Sequence, residues 1–474
     1  MKVFKNFLYN ASYQVLIMIL PLITTPYVTR VLGSEGIGIY SFTTAVTTYF
    51  IIFGSVGVQT YGNREIAYWR DNKEKMTTSF WEIFLLRLLT VTISFVFFLL
   101  FLGTDARFKI YYLIQGINII AVIFDISWFF MGLEQFKITV IRNFIIKIIS
   151  VVLIFLFVKT RNDLSVYIAV LSGSTILGNL SLWVNLSKYI IRVPASSLNI
   201  FKHFKPSLLL FLPQIATQIY MVLNKSMIGV IDSVTASGFF TQSDNMVRLA
   251  ASIVGAIGTV MLPRMANLFA KKDIDGAKKA ISVSFNFATA ISVGMMFGLM
   301  SISRYFAPFF FGDEFTQVGC LMMIESTILP LLAWTNVIGI QYLLPVNRLK
   351  EFTVSVALGA VVNIILNVPL IYWWGVKGAT VATVLSELIV FVSQLIYFSS
   401  EFDIKEMMRG TISYFTAGFV MFVAVTMLLQ YVRFTIISLL LLVFVGLTVY
   451  IVMLVILKTE AYLVVRDKFT SRIK

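Results

Sequence analysis

The chain has 474 residues, 58% of them hydrophobic and 13% charged, whereas a water-soluble domain is nearer half apolar and a quarter charged. Its single cysteine, Cys320, and single histidine, His203, exclude disulfide frameworks, paired-cysteine redox centres and His/Cys metal clusters. The formal net charge of +15 lies mostly in short loops between apolar blocks, where it points to membrane topology and anionic lipid rather than to nucleic acid.

Apolar blocks of about twenty residues recur along the chain, the length that crosses a hydrocarbon core of about 30 Å. Backbone groups in lipid must bond internally, so the blocks read as helices and the fold class as an all-α polytopic membrane protein. About fourteen spans are predicted, at roughly 6–29, 38–60, 80–103, 108–132, 138–159, 164–187, 207–231, 239–262, 281–302, 318–343, 352–373, 378–399, 410–430 and 434–457. The first is too long for a secretion signal, carries Pro21 and Pro26 and lacks a small-residue cleavage site, so it reads as a retained span. The run Gly33–Gly38 (GSEGIG) follows no strand and reads as a turn between spans one and two, not as a phosphate loop.

Ionisable residues inside spans are expensive and need partners or a wet cavity. In the third span, Glu82 and Arg87 lie near one end and read as snorkelling side chains. Asp125 follows in the fourth. The fifth carries Arg142 and Lys147, with no acid in the same helix. Two such cations invite an anion such as pyrophosphate, which arginine forks and lysine point charges both suit; Asp125 could neutralise one of them. The connection at about 188–206 is the longest on its side, and His203 within it reads as a wet-loop residue.

In the seventh span Gln214, Gln218 and Lys225 share one helical face, with Thr217 and Asn224 beside them. In the eighth, Asp244, Arg248 and Ser252 recur every fourth residue, and Asp244 and Arg248 are spaced to pair. Such stripes serve either as glue between helices or as the lining of a water-filled lumen. Two in consecutive helices favour the lumen. Glu325 and Glu387 complete the set of buried acids, and with Asp125 and Asp244 they are the candidates for carrying protons or sodium, or for acting as counter-ions. Cys320 reads as a packing residue.

Counting Lys and Arg by loop, with the N-terminus inside, gives 25 inside and 8 outside. By the positive-inside rule both termini are cytoplasmic. No loop has room for a nucleotide-binding or catalytic domain, and no GxxxxGK[ST] occurs, so neither a cofactor nor bound ATP is expected. With an offset of 200, Gly38-Ile39-Tyr40-Ser41 falls on Gly238-Phe239-Phe240-Thr241 and Arg64 on Arg264. Phe129–Lys137 likewise resembles Tyr342–Lys350. The expected organisation is therefore a six-helix lobe at 1–200, a second at 201–405, and a terminal helix pair with a basic tail at 406–474.

The stretch Asn10–Tyr40 (NASYQVLIMILPLITTPYVTRVLGSEGIGIY), the exit Tyr61-Gly62-Asn63-Arg64-Glu65, and Gly132–Lys137 followed by Arg142 and Lys147 resemble the polysaccharide repeat-unit flippases (Wzx type) of the multidrug/oligosaccharidyl-lipid/polysaccharide exporter superfamily. The resemblance implies two lobes around a central cavity and alternating access. It implies movement of undecaprenyl-diphosphate-linked oligosaccharide from the inner to the outer leaflet of the cell membrane, without catalysis. It also implies a cationic lumen, matched here by Arg30, Arg142, Lys147, Lys225 and Arg248, beside the polar Gln214 and Gln218. Implied partners are the lipid-linked glycan, membrane lipids, and a polysaccharide polymerase and glycosyltransferases of the same pathway. A multidrug exporter of the same fold would favour a carboxylate in span one or seven, and neither has one. A peptidoglycan-precursor flippase would carry several early arginines, where span one has only Arg30. A membrane polymerase or glycosyltransferase would need a large outer loop.

Overall fold

A computed structural model describes the backbone of residues 2–103, 107–194, 196 and 198–473, without the side chains of 2–17, 212–214, 216–217, 220, 257, 259–260 and 468–473. The described chain is helical throughout. Eleven helical stretches are long and apolar enough to cross a membrane, or twelve if the bent pair Asp313–Glu325 and Ile328–Leu343 is one crossing. The fold is therefore that of a multi-pass membrane protein.

Contacts divide the chain into two compact units, Met1–Gly238 and Phe239–Lys474. The first opens with α1 (Lys2–Ser55), then α2 (Val58–Trp69), α3 (Lys73–Leu102), α4 (Lys109–Phe124), α5 (Ser127–Gly132), α6 (Phe136–Phe157), α7 (Leu164–Leu186) and α8 (Phe204–Ile231). The predicted turn between two spans falls where α1 is two helices meeting at Gly33, the one non-helical residue inside it, at φ 71°. Glycine adopts that angle without the Cβ clash that other residues meet. The two helices therefore join through a single residue, with no longer loop between them. Asn72 caps α3, its side chain accepting from the Lys75 N–H at 3.0 Å. Asp125 ends α4 in an extended conformation and its side chain accepts the Ser127 N–H at 3.0 Å, so one residue closes α4 and starts α5. Aromatic packing of Phe80, Trp128, Phe129 and Phe130 builds the core where α2, α3 and α5 meet. Gly62 fits there because a Cβ would lie 2.5 Å from the Trp128 ring.

The second unit holds most of α9 (Val234–Ala270), then α10 (Ile274–Phe311), α11 (Thr316–Glu325), α12 (Ile328–Thr335), α13 (Leu349–Trp374), α14 (Val376–Phe398), α15 (Ile404–Met408), α16 (Thr411–Leu429), α17 (Ile436–Ile456) and α18 (Glu460–Ile473). Asp273 caps α10 by accepting from the Gly276 N–H at 2.9 Å. Helices α13 and α14 press together at Gly378, where a Cβ would collide with the Leu370 carbonyl. The terminal pair α16 and α17 packs on α10, with Tyr450 Oη donating to the Ala290 carbonyl at 2.7 Å.

The series repeats. Helix α3 corresponds to α10, each beginning one residue after an Asn or Asp cap. The broken fourth element α4–α5 corresponds to α11–α12, with breaks at Asp125–Ile126 and Ser326–Thr327. Gly38 and Gly238, equivalent in the sequence echo, lie backbone to backbone: a Cβ on Gly238 would stand 2.8 Å from the Gly38 Cα.

Candidate functional site

Three helices of the first unit carry the candidate cations, and α1 packs against both of the others, α6 and α8. Arg30 is exposed on α1, with Nη1 donating to the Pro26 carbonyl at 3.0 Å. One turn away Tyr27 packs at a tilt on Phe155 of α6, ring centroids 4.6 Å apart, and donates to the Val158 carbonyl at 2.7 Å. Arg142 lies 13 residues before Phe155, about 20 Å along the helix at 1.5 Å per residue. Arg142, Lys147 and Arg30 are thus spread along the helices and do not form one cluster.

Arg142 is held in place. Its Nη1 donates to Asn179 Oδ1 on α7 at 3.0 Å, and Asn179 Nδ2 donates to the Ala121 carbonyl on α4 at 2.7 Å. Lys147 differs: it is exposed and has no hydrogen-bond or ion-pair partner among the described residues. At 100° per residue it lies within about 50° of the centre of the α6 face that buries Thr139, Val140, Ser150 and Ile154. It is therefore not on the face opposite the buried stripe, where a lone ammonium would meet hydrocarbon. On α8, Lys225 is half-buried, Asn224 buried and Gln218 exposed, while the side chains of Gln214 and Thr217 lie outside the described residues.

The acids fall into two groups. Asp125 does not neutralise Arg142 or Lys147. It faces Arg87 on α3, whose Nη1 donates to the Asp125 carbonyl at 2.6 Å and whose Nη2 stands 3.8 Å from Oδ2. Arg87 and Glu82 do not snorkel: both are buried, and Glu82 is tied to the 199–203 segment. His203, predicted in a wet loop, is buried with them.

In the second unit Asp244 and Arg248 pair as their spacing predicts, Nε to Oδ1 at 2.5 Å. Glu325, fully buried at the break after α11, lies against that pair. Its Oε2 accepts from Ser243 Oγ at 2.5 Å, and its Oε1 has no hydrogen-bond donor among the described residues. Glu325 and Asp125 occupy equivalent breaks in their series, yet only Asp125 has an arginine from the third helix. Glu387 is buried on α14, and Cys320 is half-buried on α11. Sequence reasoning missed Asn179, Ser243 and Lys202; an asparagine in mid-helix of the apolar α7 was the available signal for the first.

The family described as polysaccharide biosynthesis protein matches residues 3–269, more than half of the chain. The chain belongs to that family. An Escherichia coli K12 relative named as an O-antigen transporter is 24% identical over 404 residues, spanning 83% of this chain and 96% of its own. Among solved structures, the lipid II flippase MurJ in an inward closed conformation matches with a TM-score of 0.75 at 16% identity, covering 94% of this chain and 98% of that one. An inward-facing multidrug-resistance MATE transporter matches with a TM-score of 0.63 at 13% identity, covering 81% and 95%. These likenesses fix the fold of this member of the polysaccharide biosynthesis family.

Proposed function

We propose that this protein is a flippase that carries undecaprenyl-diphosphate-linked oligosaccharide repeat units from the inner to the outer leaflet for surface polysaccharide assembly. The carrying observation is family membership together with the E. coli relative's name as an O-antigen transporter. A sugar-pyrophosphate headgroup does not cross hydrocarbon unaided, and its polyprenyl tail has no need to leave it. Cations spaced along a wall at Arg142, Lys147 and Arg30, with Lys225 on the neighbouring side of α1, offer a diphosphate successive holding points. Arg248 and the glutamines Gln214 and Gln218 complete the proposed lining. Transport then proceeds by rocking of one lobe against the other, and no bond is made or broken. The neighbouring reading, flipping of a peptidoglycan precursor, is kept by the MurJ-like fold. Deletion decides between them: loss of surface polysaccharide, with lipid-linked repeat units left on the inner leaflet and growth intact, is expected. Arrested wall synthesis with normal polysaccharide would sink the repeat-unit reading.

Fourteen crossings follow if α1 supplies two, one on each side of Gly33, and α8 supplies one in addition to the bent pair. In this reading both termini are cytoplasmic and the protein sits in the cell membrane, working beside the polymerase and glycosyltransferases of its pathway. A reporter fused after Lys474 and one inserted near Lys272 should both read cytoplasm, and one near Asp313 the outside. An external C-terminus would exclude an even count. The proposed lobes, 1–200 and 201–405 with the pair at 406–474, treat α8 as the first helix of the second repeat. For ion coupling we favour Asp244 and Glu325 over Asp125, because Arg87 already answers the Asp125 charge; Glu387 stands as a further candidate.

A further inference from the structure

A fully buried carboxylate normally marks either a functional centre or a structural tie, and Glu82 is 0% exposed on α3. Three donors converge on it from the connector that leads into α8. Its Oε1 accepts the backbone N–H of Asn199 at 2.7 Å. Its Oε2 accepts from the Lys202 ammonium at 2.6 Å and from His203 Nε2 at 2.8 Å. The imidazole is itself 1% exposed, and its Nδ1 stands 2.7 Å from Tyr61 Oη on α2. A carboxylate opposite Nε2 requires a proton there, so the neutral ring accepts the Tyr61 hydroxyl proton at Nδ1 and each polar atom is satisfied.

The same segment is fastened at two further places. Upstream, the Ile191 N–H donates to Thr77 Oγ1 at 3.3 Å. Downstream, Ser207 Oγ donates to the Val56 carbonyl at 2.6 Å. Gly57, at φ +69°, leaves a notch that the root of α8 fills, where a Cβ would stand 2.7 Å from Phe211 Cβ. These ties account for the contact grouping that keeps α8 with the first unit although it opens the second repeat.

We propose that Glu82 and His203 close a proton-sensitive clasp that fastens the connector, and with it the root of α8, to the ends of α2 and α3. In the flippase reading Lys225 is a lumen residue of α8, so the clasp makes that lysine move with Arg142 and Lys147. The groups that face the imidazole are Glu82 from α3, Tyr61, Arg64 and Glu65 from α2, and Lys202 from its own segment. Burial holds the His203 imidazole below its ordinary value, and Lys202 adds to that, against the pull of Glu82 and Glu65. A second positive charge beside Lys202 is thus disfavoured in the closed clasp. The sign follows: stabilisation is complete above the ordinary histidine value of about 6.5 and is lost as pH falls below it.

Hydrogen–deuterium exchange on the full-length protein in lipid nanodiscs tests this without any transport assay, so a failed clasp and a failed flippase reading are told apart. In Glu82→Gln, peptides covering 190–204 should exchange at least about tenfold faster than in the parent, while those of α6 and α7 are unchanged. In the parent, protection of 190–204, corrected for the intrinsic rate, should fall between about pH 7.5 and 5.5. His203→Gln keeps a donor and an acceptor in place of the ring nitrogens, so its protection should persist and be flat with pH. Parent-like exchange in a folded Glu82→Gln protein overturns the proposal, and so does a parent-like pH response in His203→Gln. Should Glu82→Gln fail to fold, the His203→Gln comparison decides alone.

Discussion

Replacing Lys147 by Ala is expected to cut transport about tenfold or more while membrane abundance stays near that of the parent chain. The reasoning starts from its surroundings. Lys147 has no partner among the described residues, so removing its ammonium strands no buried acid and leaves folding largely untouched. A hydrogen bond to a charged group contributes about 1.5–3 kcal/mol, and about 1.36 kcal/mol corresponds to a factor of ten in rate. One lost contact to diphosphate in the translocating state therefore accounts for the expected defect. Lys147→Arg should recover much of it, because the requirement is positive charge, though the guanidinium's shape differs. Transport and abundance are measured on the same membranes. Normal transport by Lys147→Ala at normal abundance would remove this lysine from the substrate path.

The second large effect separates two acids that touch. Asp244→Asn should deplete folded protein, because it leaves the half-buried Arg248 guanidinium beside an amide; breaking a fully buried pair by removing one partner costs about 3–5 kcal/mol, and the partial exposure of Arg248 makes the cost here smaller. Glu325→Gln should leave abundance intact, since an amide accepts from Ser243 as the carboxyl does and Arg248 keeps its partner. If the Glu325 carboxyl carries the coupling ion, the same variant should lose ion-driven transport by about tenfold or more, on the scale of a positioned acid or base. Ion-driven transport at the parent level in Glu325→Gln would move coupling to another group, such as Glu387. A double change, Asp244→Asn with Arg248→Gln, should restore abundance and so show that the single defect arises from a stranded charge.

Much of the architecture was legible because lipid imposes it: twenty-residue apolar blocks must be helices, and short loops exclude added domains. The Asp244–Arg248 pair was legible because four residues make one helical turn. What escaped has a common physical origin, in contacts set by how distant segments fold onto one another. Asp125 answers Arg87 from α3 instead of the cations of α6, and nothing in their spacing distinguishes the two choices. The polar composition of 188–206 suggested water, yet its Asn199, Lys202 and His203 are spent on one buried carboxylate. The run from Gly33 was read as a turn, and the break between the two helices there takes one residue at positive φ. The spacing of Arg30 from the cations of α6 was not legible, because it depends on where Tyr27 of α1 meets Phe155.

The Glu82–His203 tie also sets a schedule for biosynthesis. The two residues are 121 positions apart, so at about 5–20 residues per second the ribosome makes Glu82 roughly 6–24 s before His203. Throughout that interval the carboxylate has neither Lys202 nor His203, and an ionised acid without a counter-charge resists leaving water. The nascent α3 therefore waits with its Glu82 end at the aqueous surface of the bilayer, and seats fully only after α4 to α7 and the connector have emerged. An insertion factor that shields a lone carboxylate at the membrane surface would act in that window, upstream of any substrate.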